Sequence, residues 1–356
     1  MINIELIQAA QGDCIWIEYG EDVDSLHRIL IDGGTTGTYK HLKIRIEALA
    51  PDKRHFDLLV ITHIDADHIA GILKLFEADD LGVTFEDIWF NGYQHLGRNN
   101  VRGVMQGEAL TAYLNKPHTP WNKAFHGKAI CIDKRKKFLP IELLGGMKIT
   151  LFSPTKKALS KLKPKWSKEL QKAGLLGDSR DMGNEIPYHQ VETLPRTTLT
   201  DIESLAETPF SSDTSLTNGS SIAFLAEYDG KKIFFTGDAY ATTLLKSIKK
   251  YLPDCEPLYL DFFKVPHHGS ENNISKKLLE RMRCSKYLIS ANGAYHQHPD
   301  NSAIAKIIKY GGHKSDIYFN YFTPYNEIWK SPLLQEKYHY QAHYPDDDAT
   351  SITISF

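Results

Sequence analysis

Leu58-Leu59-Val60-Ile61-Thr62-His63-Ile64-Asp65-Ala66-Asp67-His68-Ile69-Ala70-Gly71-Ile72-Leu73 is the stretch that decides the fold. The apolar run Leu58 to Ile61 predicts a buried strand. Ile69, Ile72, Leu73 and Phe76 then recur at i, i+3, i+4 and i+7, the apolar stripe of a helix packed on a sheet. Between the two, His63, Asp65, Asp67 and His68 bring ligand-type side chains into one turn. A loop from a strand end to a helix start aims alternate residues into one cavity, and divalent metals take such a mix of imidazole and carboxylate. Asp67 falls near the predicted helix N-terminus, where a carboxylate is stabilised. The plainer alternative is an acidic capping loop with incidental histidines.

Working outward, INIELIQ, DCIWIEYG and HRILIDGG precede this unit as strand-like runs, and Glu77 to Gly82 ends the helix. Residues 96–217 differ in texture, being polar, Lys-rich and Pro-containing. They predict only one strand pair, at 140–144 and 147–152, joined at Gly145-Gly146. They are read as an insert in a single domain spanning 1–356. Residues 116–172 of it are cationic, with KRKK at 134–137 and KLKPKWSK at 161–168, and the following part to Asp213 leans acidic. Regular patterning resumes with a hairpin, 221–228 and 232–236, turned at Asp229-Gly230. Helices are expected at 241–252, 274–282 and 302–310, and strands at 258–265, 287–290 and 350–356. Two blocks of strands, each followed by helices, predict an α/β chain with paired sheets between helix layers.

Further ligand-type residues lie at predicted strand ends: Thr236-Gly237-Asp238, then Val265-Pro266-His267-His268-Gly269-Ser270, then His298-Pro299. Sites in αβ sheets sit at strand ends, so these segments can converge with the first. Taken singly, Asp238 reads as a turn residue and His298 as a surface histidine.

Together these pieces resemble the metallo-β-lactamase superfamily, and within it the branch of the ComEC-type competence-protein hydrolase domain and the teichoic-acid phosphorylcholine esterases. Ile31-Asp32-Gly33-Gly34, THIDADHIAGI, Asn218-Gly-Ser-Ser with FFTGDA, and KVPHHGS with a later His-Pro carry the resemblance, over 1–95 and 218–310. It implies an αββα sandwich with a large insert. The usual first motif has histidine where Asp65 stands, as the named branch does not; a site with this extra carboxylate suits manganese as well as zinc. The histidine motif usual between the first motif and Asp238 is missing, unless His189 supplies it. Residue by residue, the resemblance implies that His63 and Asp65 hold one Zn²⁺ or Mn²⁺ ion, Asp67 and His68 a second, and Asp238 bridges them. His267 or His268, and His298, complete the set. The implied chemistry is phosphodiester hydrolysis, by a phosphodiesterase or nuclease. A hydroxide bridges metals about 3.5–4 Å apart, Asp67 belongs to the catalytic set, and His268 or Lys264 protonates the leaving oxygen. Ser270 and Asn218 are candidates for hydrogen bonds to substrate or ligands.

The substrate reading is a phosphodiester. Nucleic acid is the polymer that the Lys-rich insert would suit, with Trp121, Phe125, Phe138 and Trp166 interleaved for stacking. A lactonase or thioesterase on the same scaffold would need a mainly apolar site. A metal-stabilised module of a larger complex, a defence complex included, would use the insert to bind a protein partner, but intact ligands speak against it. With 42% apolar residues, 356 residues can bury a large core, and a formal net charge of -2 marks no global polyanion binder. Cys14, Cys131, Cys255 and Cys284 form no CxxC pair and fit free thiols of a reducing compartment. The N-terminal stretch is no signal segment, and no apolar run nears the ~20 residues of a membrane span. The expectation is a cytoplasmic protein without a membrane partner.

Overall fold

The computed structural model describes residues 1–78, 81–96, 109–133, 137–172, 201–252, 256–312 and 314–355. The first half runs β1 (Ile2–Ile7), β2 (Ile15–Tyr19), β3 (His27–Ile31), α1 (Tyr39–Glu47), β4 (His55–Phe56), β5 (Leu58–Val60), α2 (Ala66–Ala78), β6 (Thr84–Phe85) and β7 (Ile88–Trp89). Then come α3 (Ala109–Leu114), β8 (Ile141–Glu142), β9 (Lys148–Ser153), α4 (Lys156–Leu162), α5 (Trp166–Lys172) and α6 (Ile202–Ala206). The second half holds β10 (Ala223–Tyr228), β11 (Lys231–Phe235), α7 (Ala241–Tyr251), β12 (Leu258–Lys264), α8 (Lys276–Leu279), β13 (Met282–Ile289) and α9 (Asn301–Tyr310). It ends with β14 (Ser315–Phe319), α10 (Pro332–Tyr338), β15 (Tyr340–His343) and β16 (Ser351–Ser355).

A 6-stranded sheet has the order β16-β1-β2-β3-β5-β7, and an 8-stranded sheet the order β15-β14-β13-β12-β11-β10-β9-β8. Strand alternation explains the layers. Ile29, Ile31, Leu58 and Val60 of the first sheet meet Ile233, Phe235 and Phe262 of the second in one core. Leu30 and Leu59, on the opposite pleat, pack with Leu42 and Ile46 of α1 and Ile69, Ile72 and Leu73 of α2. Phe234 and Phe263 likewise pack with Leu244, Leu278 and Ile304 from α7, α8 and α9. Strands buried on both faces read as continuous apolar runs, and the result is the expected αββα sandwich. The β3, β5 and β7 strands pair in parallel, as do β11 through β15, so their C-terminal ends lie at one edge of each sheet.

The structure departs from the sequence expectations in places with clear causes. The helix expected over 274–282 is only α8, because Met282 and Cys284 are buried alternately with exposed Arg283 and Ser285, and this two-residue period starts β13 early. Helix α1 is hidden from sequence reading because Leu42, Ile44 and Ile46 alternate as in a strand, although Ile44 is 64% exposed. Within 96–217, β9 pairs with β10, and Phe152 joins the core beneath α7. Leu110, Leu114, Leu159, Leu162 and Trp166 join the core of the first sheet. The rings expected to offer stacking faces are used in packing. Trp166 is buried, Trp121 donates to Phe90 O, Phe125 meets Trp89 edge-on, and Phe138 packs on Phe152 and Tyr251. Rings in Lys-rich sequence are drawn to the nearest apolar surface. Among the described residues no helix is long and apolar enough to cross a membrane, and Cys14, Cys131 and Cys284 are free.

Helix α2 is seated by close backbone approach. Gly33 N donates to His68 O at 2.8 Å and Gly71 N to Gly34 O at 3.1 Å, and a Cβ on Gly71 would lie 1.9 Å from Gly33 O. Backbone cannot yield there as a side-chain tip can, so Gly71→Ala should destabilise by about 3 kcal/mol, the upper end of ordinary overpacking. Denaturant midpoints with an unchanged slope would show it; a wild-type midpoint would mean that α2 shifts freely.

Candidate metal centre

Asp32 follows β3 with a left-handed φ of 57°, a conformation Asp tolerates better than most residues. Its Oδ1 accepts from Thr62 N at 2.7 Å, and its Oδ2 accepts from Thr62 Oγ1 at 2.7 Å and faces His68 Nδ1 at 2.8 Å. One carboxylate thus joins the ends of β3 and β5 to the first turn of α2. Asp238 follows β11 through Gly237, whose positive φ lets the chain pass close to Thr62. His267 and His268 follow β12 with successive φ of 48° and 55°. Two adjacent non-glycine residues in this region are strained, and the strain turns both rings toward the same place.

That place is the Asp238 carboxylate. Its Oδ2 lies 3.4 Å from His68 Nε2, 3.6 Å from His268 Nε2, 3.7 Å from His63 Nε2 and 3.8 Å from His267 Nε2. Asp67 Oδ2 is 3.5 Å from His268 Nε2 and 4.0 Å from His68 Nε2, whereas Asp65 Oδ2 is 3.4 Å from His63 Nε2. The donors therefore form two groups sharing Asp238. The inner one is Asp67, His68 and His268; the outer one is His63 and Asp65, with which His267 is counted because it approaches Asp238 and is partly exposed, as Asp65 is.

Hydrogen bonds on the far side of each ring assign its proton. His68 Nδ1 donates to Asp32, and His268 Nδ1 donates to Ser290 O at 2.9 Å. Thr62 Oγ1 spends its proton on Asp32 and so accepts from His63 Nδ1 at 3.0 Å. These rings all present an Nε2 lone pair inward. His68 Nε2 and His268 Nε2 then face each other at 3.2 Å, an arrangement satisfied by a proton shared between them or by a metal ion that takes its place. Two nitrogens about 2.0–2.1 Å from one tetrahedral metal stand about 3.3–3.4 Å apart. Among the described residues, His63 Nε2 and Asp238 Oδ1 are buried with no hydrogen-bond partner. The donor set fits divalent metal.

The electrostatics agree. Burial of the rings disfavours their charge, yet Asp238, Asp32 and Asp67 lift His68 well above the ordinary imidazole range, and Asp238 and Asp13 lift His268 to about 10. Burial likewise opposes ionisation of Asp238, but His68, His268 and His267 hold it well below the usual carboxylate range. The site is built to hold positive charge.

Not every residue singled out in the sequence touches this cluster. His298 reaches it through His267, with ring centroids 5.4 Å apart, and its Nδ1 lies 3.4 Å from Asp300 Oδ1. Lys264 is fully buried, its Nζ 2.8 Å from Asp13 Oδ2 and donating to Val265 O at 3.0 Å. Ser270 is buried and Asn218 faces Asp213. His189 and Lys134 to Lys136 lie outside the described residues. Sequence reasoning missed Asp13, which with His68, Asp238 and His268 forms a buried quartet whose ligand atoms all lie within 4.8 Å of one another. Its only signal was a lone acid after Gly12, ahead of the apolar run Cys14 to Ile17. It also gave Asp32 no role.

Residues 8–127 match the family model of the metallo-beta-lactamase superfamily, a span that includes Asp13, Asp32 and the whole first motif. The fold is that of the metallo-β-lactamases. Among solved structures, the chain is similar to Zn²⁺-bound PqqB from Methylobacterium extorquens, at 12% identity and TM-score 0.44, covering 100% of both chains. It is similar also to CmlA, a diiron beta-hydroxylase from Streptomyces venezuelae, at 12% identity and TM-score 0.43, covering 100% of this chain but 54% of CmlA, so it spans about half that protein's length. A diphosphatase of the PhnP family matches at 11% identity and TM-score 0.37, over 100% of this chain and 98% of that one. No curated protein sequence matches the chain.

In this metallo-β-lactamase fold Asp32 orients His68 without reaching the cluster itself. Asp32→Ala should weaken divalent-metal binding roughly 10–100-fold, the usual cost of losing a carboxylate behind a ligating histidine. Competition against a chromophoric chelator measures it, and an unchanged constant would show that His68 is held by packing alone.

Proposed function

We propose that the chain is a two-metal hydrolase that cleaves phosphodiesters. The family match supports a hydrolase in general. The narrower reading rests on the resemblance of its His63-x-Asp65-x-Asp67-His68, Thr236-Gly237-Asp238 and Pro266-His267-His268-Gly269-Ser270 segments to a branch dominated by phosphoester substrates. The observation that carries the reading is the pair of inward Nε2 lone pairs on His68 and His268, 3.2 Å apart and locked from behind by Asp32 and Ser290 O.

Asp67, His68 and His268 would hold one Zn²⁺ or Mn²⁺, and His63, Asp65 and His267 the other, with Asp238 shared. Such a pair, when bound, acidifies water and draws charge from phosphoryl oxygens. The chain's own groups do the positioning. His63 and His68 side chains are 0% exposed and His268 and Asp238 are 3% exposed, whereas Asp65 is 34%, Asp67 23% and His267 22% exposed, so a substrate enters on the side of Asp65, Asp67 and His267. Lys264 is committed to Asp13, and His268 Nε2 points into the donor cluster. Neither is placed as the acid for a leaving oxygen; Lys264 instead holds Asp13 under His268.

Asp238→Ala should abolish hydrolysis of bis-p-nitrophenyl phosphate by Mn²⁺- or Zn²⁺-loaded protein while the circular dichroism spectrum stays native. Metal-loaded protein that opens a lactone or thioester and leaves diesters intact would overturn the substrate class.

For a nucleic-acid substrate, the cationic run at 134–137 is the docking candidate. Neutralising it should flatten log K against log[salt] by about 0.7–0.9 for each phosphate that the run had neutralised, whereas an unchanged slope would confine it to solubility.

A further inference from the structure

Resting on the two-metal reading, the geometry points to Asp213, acting through Asn273, as the positioning residue that sets the His267 tautomer. Residues 213–218 thereby position Asp65 and His267, two of the three outer ligands.

Asn273 is completely buried. Its Nδ2 donates to Asp213 Oδ2 at 3.0 Å, to Asp238 O at 3.1 Å and to Ala239 O at 3.4 Å. These partners are all acceptors, so they fix which end of the amide is the amine. Asn273 Oδ1 is then the atom facing His267 Nδ1 at 2.9 Å, and an amide oxygen only accepts. His267 Nδ1 therefore carries the proton, and Nε2 offers its lone pair toward Asp238. Asn218 Nδ2 lies 3.4 Å from the same ring nitrogen but is directed to Asp213 Oδ2 at 2.9 Å, and the shorter contacts decide. Asp213 Oδ2 itself stands 3.6 Å from His267 Nδ1, where its charge favours that N–H.

The same segment holds Asp65, the other exposed ligand of the outer group. Thr217 Oγ1 donates to Asp65 Oδ2 at 2.9 Å, and Ser215 Oγ lies 2.8 Å from Thr217 Oγ1. Asp213 Oδ1 accepts from Ser215 N at 2.8 Å and Asp213 N donates to Asn272 O at 3.1 Å, tying 213–218 to the loop after His268. The inner ligands draw on different groups: Asp32 behind His68, and Ser290 O and Asp13 beside His268. The two halves meet at Asp238 and at Thr62, whose Oγ1 accepts from His63 Nδ1 and donates to Asp32 behind His68, whereas 213–218 supports Asp65 and His267 alone of these ligands.

The test uses the full chain. Zn²⁺ titration by calorimetry and metal content after gel filtration should give two ions per wild-type chain. Asp213→Ala and Asn273→Leu should keep one and bind the other roughly 10–100-fold more weakly. Asp213→Asn, which preserves size and an acceptor oxygen, should lie between and serves if the harsher variants fail to fold. In metal-free protein, nitrogen-15 shifts of His267 should report an Nδ1–H ring in the wild type and a mixed or reversed ring in the variants. Variants that bind both ions at wild-type affinity, or lose both together, overturn the proposal. Wild-type protein that takes up no metal sinks the two-metal reading instead, and the His267 shifts still decide the tautomer.

Discussion

Two imidazole nitrogens, His68 Nε2 and His268 Nε2, face each other at 3.2 Å inside the protein, and neither ring is able to turn away. Rotation of His68 would break its bond to Asp32, which also holds the end of β5 through Thr62. Rotation of His268 would break its bond to Ser290 O at the end of β13 and force a residue already at φ 55° to find another backbone conformation. Because these anchors are strand ends in two different sheets, the facing of the rings is fixed by the sandwich itself. The fold holds together two nitrogens that either a shared proton or a metal ion between them reconciles.

Charge makes the same point on a wider scale. Among the described residues, Asp13, Asp32, Asp65, Asp67 and Asp238 share the space with the Lys264 ammonium, which pairs with Asp13. Without metal, the raised His68 and His268 rings take up protons that offset part of this negative charge, and divalent ions would replace those protons. The buried Asp13–Lys264 pair is no simple gain in stability, since removing both charges from water costs several kcal/mol each. Its physical effect is local: the ammonium keeps Asp13 ionised beside His268 despite complete burial. Sites of this kind trade stability for function, which is consistent with the strained backbone at Asp32, His267 and His268.

Legibility in the sequence followed the range of the interactions. The unit from Leu58 to Phe76 was readable because its strand, turn and helix are each specified within a few residues, and the Asp229-Gly230 hairpin likewise. Asp238 and the His267-His268 pair could be placed at strand ends because β11 and β12 are apolar runs. Asp13, Asp32, Asp213 and Asn273 could not be given roles. Asp13, Asp32 and Asp213 act through partners 30 or more residues away, Lys264, Thr62 and Asn273, and nothing in their neighbours' periodicity records those partners. Residues 96–217 were hard to read for a related reason. Short elements such as β8, of 2 residues, and α6, of 5, are stabilised by the core they join rather than by their own pattern.

The same range argument bears on why the two halves of the cluster differ. The inner ligands hang from sheet-end and α2 backbone, the most deeply packed parts of the molecule, and their side chains are closed from solvent except at Asp67. Asp65 and His267 instead take their orientation from side-chain bonds to loop residues, Thr217 and Asn273. Side-chain networks on loops open more readily than buried sheet ends. Of the two groups, the one with the more yielding supports, at Asp65 and His267, is the outer one. On the proposed reading, a rigid inner ion anchored by the fold and an outer ion exchangeable through residues 213–218 are the division of labour that this geometry enforces.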